Sequence, residues 1–386
     1  MTTHLTKPSA STRLQSIDAL RGLIILFMLL DHVRETFLLH LQVSDPMDVG
    51  TTSPELFFSR TLAHLCAPLF IFLTGLSAYL YGERHGAGEV SGFLFKRGLF
   101  LIILEFTLVN FAWTFQLPPT TVYLQVIWAI GLSMVALAML VRLPRAALVI
   151  IGVLIIAGHN LLDGLHFTQA SAVYVPWAIL HDRGWLEPWD GIRLRTSYPL
   201  LPWIGVIALG YAAGPWFASS ADPRRRQVKL LASGLGGLAL FFLLRVFNGY
   251  GERPWAMGET GVQMMMSFFN ITKYPPSLLF LCVTLGLGML LLVWFEKAGG
   301  RVWLKPLLVF GAAPMFFYLL HLYVLKILYL IAVAIWGANK GSYFGFDSVG
   351  AVWLCSALLA VALFPAVRAF ASFKARRRDI VWLKYF

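Results

Sequence analysis

The chain has few charged residues and very few cysteines. Only 13 % of its 386 residues are charged and only 19 are acidic, whereas 58 % are hydrophobic. This composition excludes an intrinsically disordered protein, which combines low hydrophobicity with high charge. The three cysteines, Cys66, Cys282 and Cys355, lie in or beside apolar runs and lack paired metal-ligand spacing. They predict neither disulfides nor a zinc site, so we expect no bound metal.

Three sequence patterns are also missing. We find no convincing internal repeat, which many secondary transporters carry. No glycine-rich phosphate loop is present, so nucleotide binding has no local signature. The first apolar run follows a basic segment but has no small-residue cleavage site, which indicates an uncleaved span rather than a secretory signal.

Long apolar runs dominate the sequence instead. A membrane-spanning helix needs roughly 17–25 mostly apolar residues, and soluble core helices are usually shorter. Ten runs meet this length: Leu23–Leu39, Thr61–Tyr81, Gly98–Phe115, Val122–Val141, Ala146–Leu162, Tyr198–Trp216, Leu230–Phe247, Ser277–Phe295, Leu307–Trp336 and Val349–Val367. The fold class predicted is therefore all-α, a polytopic transmembrane bundle of about ten spans. The partner implied first is the lipid bilayer.

The basic residues between these runs predict the orientation. With the N-terminus in the cytoplasm, the inner segments hold 21 of the 31 lysines and arginines. This bias follows the positive-inside rule and places both termini in the cytoplasm. The net charge of +12 then reflects inner-face residues near anionic lipid, including the arginines at 224–226 and 376–378, and does not indicate nucleic-acid binding.

Residues 1–386 are expected to form one domain, with a cytoplasmic N-terminal segment at 1–20 and a cytoplasmic tail at 369–386. The run Leu307–Trp336 is too long for one untilted span, and Gly311 and Pro314 predict a kink or a re-entrant start. Gly234, Gly236 and Gly237 permit a close helix contact, within one chain or across a homodimer.

Ionisable residues inside apolar runs are costly and normally face a bundle interior or a cavity. Asp31 and Arg34, three residues apart, are expected to pair on one helical face near the end of the first span. His32 follows Asp31, and His64 lies at the start of the next span, at a depth similar to that of His32. We interpret these residues as an acid–base site, with a boundary ion pair and a packing histidine as the alternative.

Further polar residues lie within later runs. Glu105 is in the third, Arg245 near the end of the seventh, and Tyr318, His321 and Lys326 in the ninth. Tyr318 and His321 are three apart and share a face. These groups either hydrogen-bond between helices or line a polar interior that serves transport or chemistry.

Five stretches together resemble a known family. They are Ser16–Gly22 followed by Asp31-His32, His64–Gly75, Ser197–Gly205, Thr272–Ser277 and Phe317–His321. Their order and spacing resemble the bacterial membrane proteins grouped with the catalytic domain of heparan-α-glucosaminide N-acetyltransferase. The resemblance runs from about Arg13 to the tenth span.

This resemblance implies acetyl or acyl transfer across a membrane, with acetyl-coenzyme A (acetyl-CoA) as cytosolic donor. It also implies a glycan-like acceptor at the outer face of a bacterial inner membrane. In the family a histidine acts as acetyl carrier or general base. Tyr318 and His321 look like the family's tyrosine–histidine pair, and Asp31 or His32 falls near a first-span asparagine. The family's catalytic histidine has no single counterpart, because His32, His40 and His64 all fall in the corresponding region.

These implications assign a role to each candidate. His32 or His64 would be the base, Asp31 would orient its ring, and Arg34 or the Tyr318 hydroxyl would face the oxyanion. Coenzyme A phosphates need cations, for which the candidates are Arg21, Lys96 and Arg97. Arg245 and Lys273 are further candidates for contacts with the acceptor or the oxyanion.

Two rival interpretations remain open. A transporter would use Glu105, Arg245, His321 and Lys326 as a relay. A non-catalytic member of the family would keep the fold without the chemistry.

Overall fold

The computed structural model describes residues 10–377 and 379–386, so residues 1–9 of the predicted N-terminal segment and Arg378 lie outside the described residues. Within them the chain is mostly helical. The α-helices are α1 Ala10–Phe37, α2 Pro54–Leu62, α3 Cys66–Leu104, α4 Asn110–Thr114, α5 Val126–Leu140, α6 Arg145–Gly158, α7 Tyr174–Leu180, α8 Leu201–Ala213, α9 Pro223–Phe247, α10 Gly261–Phe269, α11 Leu278–Lys297, α12 Lys305–Ala312, α13 Pro314–Trp336 and α14 Val349–Arg376. Short 3-10 or π turns extend several of them.

A small sheet departs from the all-α prediction. Its strands are β1 Thr121–Leu124, β2 Trp185–Trp189 and β3 Ile192–Thr196, in the order β1-β3-β2. β3 pairs with β1 in parallel and with β2 in a hairpin that turns at Gly191, a residue with a positive φ of 79°. The first residues of the predicted fourth span thus form β1, because the β-branched and aromatic run Thr-Val-Tyr-Leu suits a strand.

In the described part of the chain, six helical segments are long and apolar enough to cross a membrane: Pro54–Thr114, Arg145–Leu162, Pro223–Phe247, Leu278–Lys297, Pro314–Trp336 and Val349–Arg376. The helical segments Val126–Leu140, Leu201–Phe217 and Val302–Ala312 are apolar but shorter. The predicted count of ten spans therefore stays a prediction, whereas a membrane protein with several apolar helices is confirmed.

Two backbone breaks divide the longest apolar stretches. Gly86, with a φ of 78°, interrupts α3 within a segment of 61 residues, far longer than one crossing requires. Ala313, with a φ of −134° and a ψ of 53°, separates α12 from α13. The second break confirms the kink predicted from Gly311 and Pro314.

The helix α1 lies at the centre of the bundle. It packs against α3, α11, α12, α13 and α14. Its contact with α12 is very close: a Cβ added to Gly22 would lie 2.0 Å from the carbonyl oxygen of Leu307, and one added to Gly311 would lie 1.8 Å from that of Asp18. Only glycine permits this approach, which fixes α1 against the break that precedes α13.

The glycines of α9 are used within the chain. Cβ atoms added to Gly234 and Gly237 would meet backbone oxygens of α11 at 2.9 Å and 3.1 Å, whereas nothing lies within 4 Å of one on Gly236. The close contact predicted from these residues therefore joins α9 to α11 and requires no second copy.

Candidate active site

A cavity of about 410 Å³ runs along one face of α1. From α1 it is lined by Asp18, Arg21, Met28, Asp31 and His32. These residues recur at helical spacing from Asp18 to His32, 14 positions further on, which corresponds to roughly 21 Å of helix. The helices α3, α5, α12, α13 and α14 supply further wall residues. The cavity thus has an Arg21 end and a His32 end.

The Arg21 end is rich in cations. Arg21 donates to Asp18 at 2.9 Å and also to the Ser77 hydroxyl. Arg97 lies beside it, and its Nε makes no hydrogen bond to any described residue. Lys374, from α14, completes the group and donates to the backbone oxygen of Phe386 at 2.8 Å. Three cationic side chains lie beside one acidic side chain, that of Asp18, so the side chains at this end suit an anion.

Two histidines meet at the other end. Nδ1 of His32 lies 2.7 Å from Nε2 of His321, and the two rings stack with centroids 5.0 Å apart. The Trp113 and Tyr318 rings approach His32 edge-on, with centroids 5.2 and 6.0 Å away. His321 is fully buried, whereas His32 is half-buried and lines the cavity.

The hydrogen bonds decide which nitrogen of this pair is free. Nδ1 of His321 lies 2.7 Å from the Phe317 carbonyl oxygen, which only accepts, so Nδ1 carries the proton. In the neutral ring Nε2 of His321 is then an acceptor, and Nδ1 of His32 must donate to it. Of the four ring nitrogens of these two histidines, only Nε2 of His32 consequently keeps a lone pair that is not engaged in this hydrogen-bond chain. A lone pair of this kind is what a general base or an acetyl carrier requires.

Asp31 has a different role from the predicted one. Its Oδ1 accepts from Nε of Arg34 at 2.9 Å, which confirms the pairing expected from the spacing. Its Oδ2 accepts from Arg60 at 2.5 Å. Both oxygens are thus committed to buried arginines, and His321, not Asp31, holds the His32 ring. Arg34 does not line the cavity, so its hydrogen bonds to Asp31 and Glu35 are structural.

Tyr318 supplies a hydroxyl at the same end of the cavity. The side chain is 3 % exposed, and its hydroxyl donates to no described residue. Glu105 is also buried, in a π turn at Glu105–Val109, where it accepts from the Trp128 backbone NH at 2.9 Å. The Tyr318 hydroxyl is therefore a neutral hydrogen-bond donor in the cavity lining, on a ring that contacts the His32 ring.

Loop residues close the His32 end. Lys273, 4 % exposed, lines the cavity with its Nζ 5.1 Å from the Tyr274 ring centroid. Tyr274 donates to the Tyr198 hydroxyl at 3.1 Å. Asp45 accepts from the backbone NH groups of Lys273 and Tyr274 and fixes this loop, and burial raises the pKa of that carboxyl above its usual value.

Besides Arg34 and His321, three predicted site residues lie outside the cavity lining. His64 contacts the Phe280 ring and lines a separate apolar pocket, so it does not form one site with His32. Lys96 is exposed and does not line the cavity. Arg245 donates to four backbone carbonyls, those of Arg253, Ser267, Phe268 and Asn270. Its guanidinium stabilises the end of α10, so the predicted substrate role does not fit its geometry.

The family assignment rests on a comparison with known families. The model of the heparan-alpha-glucosaminide N-acetyltransferase catalytic domain matches residues 13–244, well over half of the chain. The chain belongs to this family. Family membership indicates a membrane acetyltransferase, in agreement with the histidine pair at one end of the cavity. The matched residues include Arg21, His32 and Arg97, whereas Tyr318, His321 and Lys374 follow them in the sequence. None of the curated proteins matches the chain.

Three residues of the site region were not predicted as site residues. Lys374 lines the Arg21 end of the cavity and lies in a basic segment whose charge the sequence explains by topology alone. Arg60 and Trp113 do not line the cavity, but Arg60 donates to Asp31 and the Trp113 ring contacts that of His32. Each lies far in sequence from its partner, and no local spacing signals such a contact.

Proposed function

We propose that this protein transfers an acetyl group from acetyl-CoA to an amine or hydroxyl of a glycan-like acceptor on the other side of a bacterial inner membrane. The observation that carries the proposal is the single cavity with cations at one end and the His32–His321 pair at the other. A cavity of this kind allows a donor on one side of the membrane to react with an acceptor on the other side.

The positive-inside rule orients this cavity. With both termini cytoplasmic, the Arg21 end lies at the inner face and the His32 end toward the outer face. In this arrangement Arg21, Arg97 and Lys374 bind donor phosphates, because arginine and lysine pair strongly with phosphate oxygens. The roughly 16 Å of helix between Arg21 and His32 suits an extended donor whose thioester must reach the histidines.

Each residue at the His32 end has a separate role in the transfer reaction. Nε2 of His32 takes the proton from the acceptor nitrogen or oxygen as that atom bonds to the acetyl carbon. The Tyr318 hydroxyl donates to the oxyanion that forms on the acetyl oxygen. The carbon–sulfur bond breaks, and the proton held by His32 passes to the departing thiolate. His321 keeps the His32 ring in the required tautomer throughout.

A two-step route uses the same atom. Nε2 of His32 would first bond to the acetyl carbon as the carbon–sulfur bond breaks and the coenzyme A thiolate leaves. The acceptor would then bond to the acetyl carbon as its bond to Nε2 breaks, and the acceptor's proton would pass to the thiolate. Acceptor binding is proposed at the loops that hold Tyr198, Lys273 and Tyr274, since aromatic rings suit the apolar faces of sugars.

A transporter is not favoured by the geometry. Among the described residues no hydrogen bond or ion pair joins any two of Glu105, Arg245, His321 and Lys326. Lys326 donates to the Trp113 carbonyl at 3.1 Å, and Arg245 is saturated by carbonyls. A relay needs members that exchange protons or substrate with one another.

The direct test uses the full-length protein in detergent or in sealed vesicles, with acetyl-CoA labelled in the acetyl group. The prediction is saturable binding, together with transfer of label to amino sugars in a panel of acceptors. In vesicles, label should reach only acceptors on the side opposite the donor. Absence of saturable binding at near-millimolar donor would contradict the proposal.

A further inference from the structure

A second polar cluster lies outside the cavity, beside the end of α6. It consists of His159, Asp163 and His181, whose ligand atoms all lie within 4.8 Å of one another. His159 begins the 3-10 turn His159–Leu162 and Asp163 directly follows it, so both residues lie at the end of α6. His181 follows α7 and approaches from another segment, with its Nε2 3.4 Å from Oδ1 of Asp163.

His159 is the member that points to a ligand. It is 2 % exposed, and neither ring nitrogen makes a well-aligned hydrogen bond, although the Pro276 carbonyl lies close to the ring. A buried imidazole without strong partners loses the hydrogen bonds that it makes in water, which is costly. A bound cation beside it would compensate for that loss.

The groups around the cluster are those that hold metal ligands in place. Asn160 donates to Oδ2 of Asp163 at 2.8 Å and itself accepts from the Leu278 backbone NH at 2.9 Å. This leaves Oδ1 of Asp163 directed to the cluster. Asp182 lies 3.6 Å from Nδ1 of His181, on the ring side opposite Nε2. A carboxylate behind a ligating histidine is the usual supporting arrangement at metal sites.

We propose that His159, Asp163 and His181 bind a divalent transition-metal ion of the zinc class. Two imidazoles and one carboxylate are a common zinc ligand set, with water completing four-fold coordination. Ligand atoms 3.4 Å apart suit tetrahedral coordination at bond lengths of about 2 Å. To bind, Nε2 of His181 must give up its contact with the His159 carbonyl oxygen, 3.0 Å away. This proposal replaces the expectation of no metal, which weighed only the cysteines.

The position of the site suggests a structural role. The metal would join the end of α6 to the segment that carries α7 and the β2–β3 hairpin. Two residues beyond His181, the guanidinium of Arg183 lies 4.8 Å from the Tyr274 ring centroid, beside Lys273. A metal here would therefore fix the loops that close the His32 end of the cavity.

The test measures metal in the full-length detergent-purified protein after equilibration with zinc and dialysis against metal-free buffer. We expect about one zinc per chain, and a loss of at least tenfold in zinc affinity for Asp163→Asn and His181→Gln. Asp163 is exposed, so Asp163→Asn is expected to fold. His166→Ala is the matched control: it removes an exposed histidine near Asp182 but no ligand, and it should keep one zinc.

Cobalt gives a readout that needs no variant. Wild-type protein with Co²⁺ should show the visible absorption of a four-coordinate site, and zinc should abolish it. Zinc should also raise the melting temperature of the wild-type protein more than that of Asp163→Asn. Zinc lost on dialysis together with no cobalt spectrum, or full zinc retention in both ligand variants, would overturn the proposal. None of these readouts depends on acetyl transfer.

Discussion

Nδ1 of His32 lies 2.7 Å from Nε2 of His321, although the two residues are 289 positions apart in the chain. The Phe317 carbonyl fixes the proton on Nδ1 of His321, and this fixes the proton on Nδ1 of His32 in turn. These two hydrogen bonds thus leave the lone pair on Nε2 of His32 free, and His32 lines the cavity. His321 acts through His32 and is a positioning residue.

Replacing His321 tests this positioning role. His321→Phe removes the acceptor for Nδ1 of His32, so we expect kcat to fall at least tenfold while the KM for the donor changes little. His321→Gln offers a carbonyl oxygen as a substitute acceptor and should restore part of the loss. Loss of the hydrogen bond between His321 and His32 should also shift the pH profile of kcat. If His321 had only a structural role, both variants would lose the same amount of activity and the pH profile of kcat would not change.

Asp31 should matter for folding before it matters for chemistry. In Asp31→Asn the buried Arg34 and Arg60 lose their shared carboxylate, which typically costs about 3–5 kcal/mol. We expect a large drop in the melting temperature of the detergent-purified protein. The variant Glu35→Gln, which alters a half-exposed carboxylate bonded to the same Arg34 at 3.0 Å, should lose much less. Equal effects of the two changes would contradict the role given to Asp31.

The cations at the Arg21 end should control donor affinity. Arg97→Gln and Lys374→Gln should each raise the KM for acetyl-CoA about 10- to 100-fold, the effect of losing one charge-assisted hydrogen bond. Lys96→Gln removes the same charge from an exposed neighbour outside the cavity and serves as the control. Donor titrations would measure this; a KM change in Lys96→Gln as large as in Arg97→Gln would point to a general surface effect.

The close approach of α1 to α12 should tolerate no added methyl. Gly22→Ala would place a Cβ 2.0 Å from a backbone oxygen, so we expect destabilisation of about 1–3 kcal/mol, or more if α12 must shift. Gly236→Ala, in α9 with open space around the site, should be neutral or stabilising by up to about 1 kcal/mol. Thermal unfolding of both variants would check this, and a stable Gly22→Ala would be inconsistent with the packing described.

Local patterns predicted the helical character, the Asp31–Arg34 pair and the break near Pro314. Each depends on residues a few positions apart, so spacing alone reveals it. The sheet was missed because β1 continues into the apolar run of α5, and hydropathy does not separate a short strand from the start of a span. The helix α1 was predicted as a span, yet Asp31, Arg34 and Glu35 give its end a charge content unlike that of the six apolar segments.

The site was also predicted only in part, because contacts between residues far apart in the sequence have no local signal. His32, Tyr318 and His321 were named, but the pairing of His32 with His321 depends on how α1 packs against α13. From the sequence we expected His32 beside His64, because neighbouring antiparallel spans place the two residues at a similar depth. The 3-10 turn Ala63–Leu65 begins just before α3, and the His64 ring contacts Phe280 of α11 in a different pocket.

The most direct test of the account compares acetyl transfer by His32→Gln and His64→Gln, with donor binding measured in parallel. The account predicts that His32→Gln still binds acetyl-CoA but loses transfer by about 10²–10⁴-fold, the usual contribution of a general base. It predicts that His64→Gln keeps transfer within a few-fold of wild type, since His64 lies outside the cavity. Retained transfer in His32→Gln, or its loss in His64→Gln alone, would contradict the central claim that His32 carries the reaction.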